Sequence, residues 1–142
     1  MKNPLKIFVD TDAFVALIIE TDSNHKKAVA LLNNLCITPV VFFTSNYVFS
    51  ESITIIRMEG SHAASLQFIE TMQSFENPFQ IKRADAATEE LAIHLFKKQT
   101  AKNTNYVDCI NMALIKQQHA DAVFSFDDVY KKNGLQLAEN LI

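Results

Sequence analysis

Lys6-Ile7-Phe8-Val9-Asp10-Thr11-Asp12 is an apolar run that stops at two carboxylates, with a second apolar segment, Ala13 to Ile19, directly behind it. Near the other end of the chain, Ala122-Val123-Phe124-Ser125-Phe126 runs into Asp127 and Asp128 in the same way. Each run has the length and the β-branched and aromatic content of a short buried strand. Each therefore delivers carboxylates at a strand's C-terminal end, the edge at which open α/β sheets bind their ligands. An Asp in that place is also a favoured N-cap for the helix that follows. Capping accounts for either place alone, but two such places at opposite ends of one small chain ask for a joint explanation.

Working outward, strands alternate with helices. Asp12 to Ile19 reads as a helix, and Ser23 is a suitable cap for another from about Asn24 to Leu35. Val40 to Thr44 is the second strand, Ser45 or Asn46 caps a helix to Glu59, and Gly60 ends it. Ser61 caps a helix to about Ser74, Asn77-Pro78 turns the chain, and Phe79 to Lys82 is a half-polar strand expected near an edge. Asp85 caps the next helix, whose Glu89 and Glu90 come early and whose Lys97 and Lys98 come late, the order the helix dipole favours. A polar loop, Gln99 to Thr104, leads to a helix from about Asn105 to Gln118, and a last short run covers Leu135 to Ala138. This alternation predicts a three-layer α/β/α domain around a mainly parallel sheet, a single domain over residues 1–142.

Composition narrows the function classes. Hydrophobic residues make up 49% and charged residues 20% of 142, the balance of a folded globular domain with a sizeable core. No apolar run approaches a membrane span, and Met1-Lys2-Asn3-Pro4 lacks a signal-peptide core, which places the chain in the cytoplasm. Cys36 and Cys109 each sit among apolar neighbours without a C-x-x-C and read as small buried hydrophobes. The formal charge of -3 does not suit a protein that grips nucleic acid through a broad basic surface. Two divalent cations in one acidic site would change that, since -3 + 4 = +1. Lys97, Lys98 and Lys102, and again Lys131 and Lys132, lie within a dozen residues of a candidate Asp; for each cluster a solvated helix end is the plainer reading.

Two further acids sit early in helices. Glu51 shares a helical face with Tyr47, Val48 and Ile55, and a Glu turned inward there needs a cation or a partner. Asp108 shares a face with Met112 and Ile115, although an acid near a helix N-terminus is favourable on dipole grounds alone. Both helices leave the sheet edge at which Asp10 and Asp127 end their strands, so all four can converge there. An all-carboxylate donor set suits Mg²⁺ or Mn²⁺ rather than zinc. His25, His62, His94 and His119 show no paired helical spacing, and no nucleophile elbow, P-loop or dinucleotide glycine motif is present.

With these pieces assembled, the chain resembles the PIN-domain ribonucleases, most closely the toxin type called VapC. The resemblance is carried by "FVDTDAFVAL", by "SNYVFSES" with Glu51, by "NYVDCINMALIK" with Asp108 and by "ADAVFSFDDVYKKNG" with Asp127. It implies an endoribonuclease dependent on Mg²⁺ or Mn²⁺ in which Asp10, Glu51, Asp108 and Asp127 are the metal-binding acids, with Asp10 and Asp108 at the shared metal site. It also implies an RNA substrate, an antitoxin protein that covers helices near the site, and pairing as a homodimer. The chain departs from the family at Asn105, where many members carry Ser or Thr three residues before the third acid, and at Asp12, which takes a usual hydroxyl position. Thr11, Asp12, Asn105 and Asp128 are thus the groups expected to orient the ligands or the attacking water, and Asp12 or Asp128 could stand in for a neighbouring ligand. Two other readings stay open. Asp10-Thr11-Asp12 looks like the acid pair of a haloacid-dehalogenase-type phosphatase, although that motif wants Thr where Phe14 stands, and the same fold can serve as a non-catalytic binding module.

Overall fold

The computed structural model describes residues 3–141. Met1 and Lys2, on which the leader-peptide reading partly rests, lie outside the described residues. Four strands, β1 (Leu5–Val9), β2 (Val40–Ser45), β3 (Phe79–Lys82) and β4 (Ala122–Phe124), form a sheet in the order β3-β2-β1-β4. All three pairings are parallel, with Phe8 opposite both Phe43 and Val123. Strand β3 lies at an edge, as its half-polar pattern predicts.

Helices α1 (Thr11–Ile18) and α2 (His25–Leu35) link β1 to β2, and α3 (Asn46–Glu59) and α4 (His62–Gln73) link β2 to β3. Helices α5 (Ala86–Lys97) and α6 (Tyr106–Gln117) carry the chain back from β3 to β4. Right-handed crossovers then put the first four helices on one face of the sheet and α5 and α6 on the other. Their contacts agree: α1 packs on α2 and α3, α3 on α4, and α5 on α6. The apolar runs of β1 and β4 are buried on both faces, with Ile7, Phe8, Val9, Val123 and Phe124 fully inaccessible. Aromatic rings fill the layer between sheet and helices, Phe8 meeting Phe43 edge to face at 5.3 Å and Phe14 meeting Phe68 at 5.3 Å and Phe79 at 5.2 Å.

Several local expectations need correction. Helix α1 begins at Thr11 because Asp10 is its N-cap, accepting a hydrogen bond from the Thr11 amide. Ser23 does not cap α2; Asn24 precedes that helix without a side-chain cap, its amide held instead by Asp22 Oδ1 at 2.8 Å. Strand β4 stops at Phe124 rather than Phe126, because the Ser125 hydroxyl and the Phe126 amide turn away to donate to Asp12 Oδ2. The last run makes a single parallel bridge, Leu137 with Val123, before a 3-10 turn, Ala138–Leu141. Cys109 is buried in α6 as expected, but Cys36 is exposed at the C-cap of α2, where the chain has already left the helix's apolar stripe.

Candidate active site

In the order β3-β2-β1-β4 the chain steps from β1 outward in one direction and returns to β1's other side only with β4. The boundary between β1 and β4 is therefore the topological switch point, where the loops at the C-terminal ends part to leave a crevice. A pocket of about 300 Å³ opens there. Its walls include Asp10, Thr11, Asp12, Glu51, Asn105, Asp108 and Asp127, so the four acids singled out from the sequence and three of the four groups expected around them line one cavity. Asp128 is exposed and is not among the lining residues, whereas Asp22 and Glu59 are.

Three of the four acids, Asp10, Asp108 and Asp127, also serve the helix start at which they stand. Asp10 is 8% exposed, and its Oδ1 accepts from the Thr11 amide at 2.7 Å and from Asn111 Nδ2 at 3.2 Å. Its Oδ2 accepts from the Tyr130 hydroxyl at 2.6 Å. Asp108, 7% exposed, forms a reciprocal capping box with Asn105: Asn105 Oδ1 accepts from the Asp108 amide at 2.9 Å, and Asp108 Oδ2 accepts from the Asn105 amide at 3.0 Å. Asp127 caps the short helix α7 (Asp128–Lys132), its Oδ1 accepting from Val129 N at 3.0 Å. Ser125 couples two acids, because its hydroxyl donates to Asp12 and accepts from the Asp127 amide at 3.1 Å. Glu51 is half-buried on α3 and meets the others at the cavity wall. Capping and site are thus not rival explanations: the caps fix where these carboxylates stand.

The electrostatics record the crowding. Burial first, and then the neighbouring Asp12, push the Asp10 carboxyl up from 3.8 to about 7. Burial raises Asp108 to about 6, with Asp127, Glu51 and Asp12 adding to it against the Asn105 hydrogen bond. Asp12 is raised by burial and by Asp127, while Phe126 and Ser125 oppose the shift. Its Oδ1 is buried without a hydrogen-bond partner, as is the Thr11 hydroxyl.

Asn111 and Tyr130 were not singled out from the sequence. Both are fully buried, and their side chains bond each other at 2.9 Å as well as Asp10. A signal existed for Asn111: it interrupts the apolar run Cys109 to Leu114 one helical step after Asp108, and a buried amide needs polar partners. Tyr130 reads simply as an aromatic core residue, and only the fold brings its hydroxyl to β1.

A family model for the PIN domain matches residues 7–134. The chain belongs to the PIN-domain family. Among curated proteins this PIN domain is similar to the 23S rRNA-specific endonuclease VapC20 of Mycobacterium tuberculosis, 25% identical over 128 residues that cover 90% of this chain and 94% of that one. The crystal structure of Mycobacterium tuberculosis VapC20, a Sarcin-Ricin loop cleaving toxin, superposes with a TM-score of 0.81 at 24% identity, over 91% of this chain and 95% of the other. VapBC2 from Rickettsia felis, solved bound to a DNA fragment from its promoter, matches with a TM-score of 0.63 at 15% identity over 94% and 97% of the two chains. These structural likenesses show the three-layer fold expected from the sequence.

Whether this PIN pocket suits a divalent cation is decided by its donors. As the side chains stand, no three Asp, Glu, His or Cys among the described residues converge tightly enough to hold an ion. The chemistry nevertheless fits: hard oxygen donors only, an unpartnered buried carboxylate oxygen on Asp12, and two carboxyls raised by burial first and then by neighbouring acids.

Proposed function

We propose that this PIN domain is an endoribonuclease that hydrolyses RNA phosphodiester bonds with Mg²⁺ or Mn²⁺, and that it is the toxin of a toxin-antitoxin pair. The observation that carries the reading is that Asp10, Glu51, Asp108 and Asp127 line one open pocket at the switch point, with Asp10 and Asp108 raised by burial and by neighbouring acids. Asp10, Glu51, Asp108 and Asp127 are the residues that would hold the metal. A divalent cation bound there supplies positive charge to a phosphodiester and acidifies water. The chain's own groups do the rest. Asp12, pinned through Oδ2 by Ser125 and Phe126, holds a fixed carboxylate at the pocket wall beside Asp10 and Asp127. Asn105 holds Asp108 in its rotamer through the capping box, which fixes one carboxylate direction.

The names of the relatives support a substrate class and a partner for this proposal. The curated relative is named as a 23S rRNA-specific endonuclease, so a structured ribosomal RNA loop is the first substrate to offer this chain. A VapBC2 structure among the likenesses supports an antitoxin as a partner. Pairing as a homodimer rests on the family resemblance alone. The phosphatase alternative would make Asp10 a nucleophile. Three donors already engage that carboxylate, and Phe14 stands where the motif wants Thr. Incubation with 23S rRNA and with an unstructured RNA, with and without Mg²⁺ and with EDTA, tests the reading. Discrete fragments that require the cation are expected, and cleavage that survives EDTA unchanged would sink it.

A further inference from the structure

Three donors converge on Asp10 and fill its two oxygens unequally. An ionised carboxylate offers about four lone-pair directions, two on each oxygen. Oδ1 accepts from the Thr11 amide and from Asn111 Nδ2, so both of its directions are taken. Oδ2 accepts only from the Tyr130 hydroxyl at 2.6 Å, which leaves one direction open. The donor order is also fixed. The single proton of Tyr130 goes to Asp10, so its hydroxyl oxygen must accept from Asn111 Nδ2 at 2.9 Å, and the one Asn111 amide thereby braces both partners. Asn111 and Tyr130 are fully buried, which protects this arrangement from competing water.

We propose that Tyr130 and Asn111 are positioning residues that confine Asp10 to one-oxygen coordination through Oδ2 and thereby favour Mg²⁺ over Ca²⁺. The proposal rests on the metal-site reading above and deepens it. Mg²⁺ takes single oxygens in a tight octahedron, whereas Ca²⁺ accepts both oxygens of a carboxylate at longer distances in a flexible shell. An Asp10 with one open direction cannot chelate through both oxygens. Removing the Tyr130 hydroxyl frees the second direction on Oδ2 and lets the carboxylate turn; removing the Asn111 amide frees one on Oδ1.

The test is calorimetric titration of the full-length parent, Tyr130→Phe and Asn111→Ala with MgCl₂ and with CaCl₂, without RNA. Tyr130→Phe should lose Mg²⁺ affinity by roughly tenfold, the scale for groups that orient a ligand. Ca²⁺ affinity should fall much less, so that the preference for Mg²⁺ narrows. Asn111→Ala should narrow it too, and it decides the matter if Tyr130→Phe does not fold. Equal losses for the two ions, or no loss in either variant, overturn the proposal while leaving the metal site in place. A parent protein that binds neither ion overturns the metal-site reading itself. An ordinary packing role would lower melting temperatures without changing the ratio of the two affinities.

Discussion

The two sides of the pocket are built differently. Asp10 and Asp108 are 8% and 7% exposed, each hydrogen-bonded to a neighbouring backbone amide, and both are raised by burial and by the acids around them. Asp127 is exposed at the start of a five-residue helix, and Glu51 is half-buried on the wall. One pair is set into the sheet edge and stores repulsion, while the other faces solvent that screens it. The pocket thus has a buried acidic floor and a solvent-facing acidic rim, and under the proposed function the floor would place the cation.

The largest effect expected from this contrast is at the floor. Asp10→Asn and Asp108→Asn should each lower RNA cleavage by roughly a hundredfold or more, the scale of losing one charge that acts in the transition state. Removing one of several crowded charges should at the same time let the metal-free protein's melting temperature hold or rise at pH 7. Added Mg²⁺ should stabilise the parent by mass action and these variants less. Glu51→Gln and Asp127→Asn, on the rim, should leave the melting temperature near the parent's and cost less activity. Floor variants that melt lower but still cut RNA would reduce these carboxylates to caps and break the comparison.

The next effect in size is a pH dependence confined to the floor. Asp10 moves from 3.8 to about 7 on folding, and Asp108 to about 6, so between these limits the folded state binds more protons than the unfolded one. Stability of the metal-free protein is then greatest below about pH 4 as far as these groups are concerned, and it falls as pH rises through 6 to 7. Melting temperatures measured across pH 4 to 8 in EDTA should show the decline, and Asp10→Asn should flatten its upper part. A parent whose stability rises over that range in EDTA would mean that the floor does not carry the strain assigned to it.

What was legible in the sequence divides along the same line. Apolar runs before Asp10 and Asp127 mark β1, β4 and the edge at their C-terminal ends, because burial on both faces writes an unbroken hydrophobic stretch, whereas strand order, and with it the switch point, is visible only in the fold. Local chemistry fixed most helix starts, with Ser45, Ser61 and Asp85 all capping as their residue types predict. Where a distant group competes, local reading fails. Nothing near Phe126 says that its amide will leave β4 for Asp12, more than a hundred residues away, and nothing near Tyr130 says that its hydroxyl will reach Asp10. Glu51 and Asp108 could be placed because a carboxylate within a helical apolar face needs a reason, whereas Asn111 obeys the same logic and was passed over among stronger signals.

A smaller effect concerns the rim as scaffold. Asp127→Ala should cost about 1 kcal/mol through the lost cap on α7, while Asp127→Asn, an equally good cap, should cost almost nothing. Equal melting temperatures for the two would show that the short helix does not depend on its first hydrogen bond, and the rim would then be looser than drawn here.

The smallest effect expected, and the one that tests whether the rim extends to the substrate strand, is electrostatic. The five lysines flanking the acids do not share one place in the fold. Lys98 and Lys132 line a polar depression of about 340 Å³ with Thr104 and Asn133, between the loop that leads to Asp108 and the helix that follows Asp127. Lys97 lines a different depression, on α5 with Glu90 and His94. A strand leaving the pocket between Asp108 and Asp127 along that of Lys98 and Lys132 would meet both of these lysines. Each lysine that meets a phosphate displaces a counterion, so Lys98→Ala and Lys132→Ala should each flatten the plot of log affinity against log salt by about 0.7 for single-stranded RNA. Lys97→Ala should flatten it less. Binding titrations of Asp10→Asn, which holds RNA uncut, at several salt concentrations measure the slopes directly. If all three lysines leave the slope unchanged they are solvated helix ends, and the strand must leave the acidic floor by another wall.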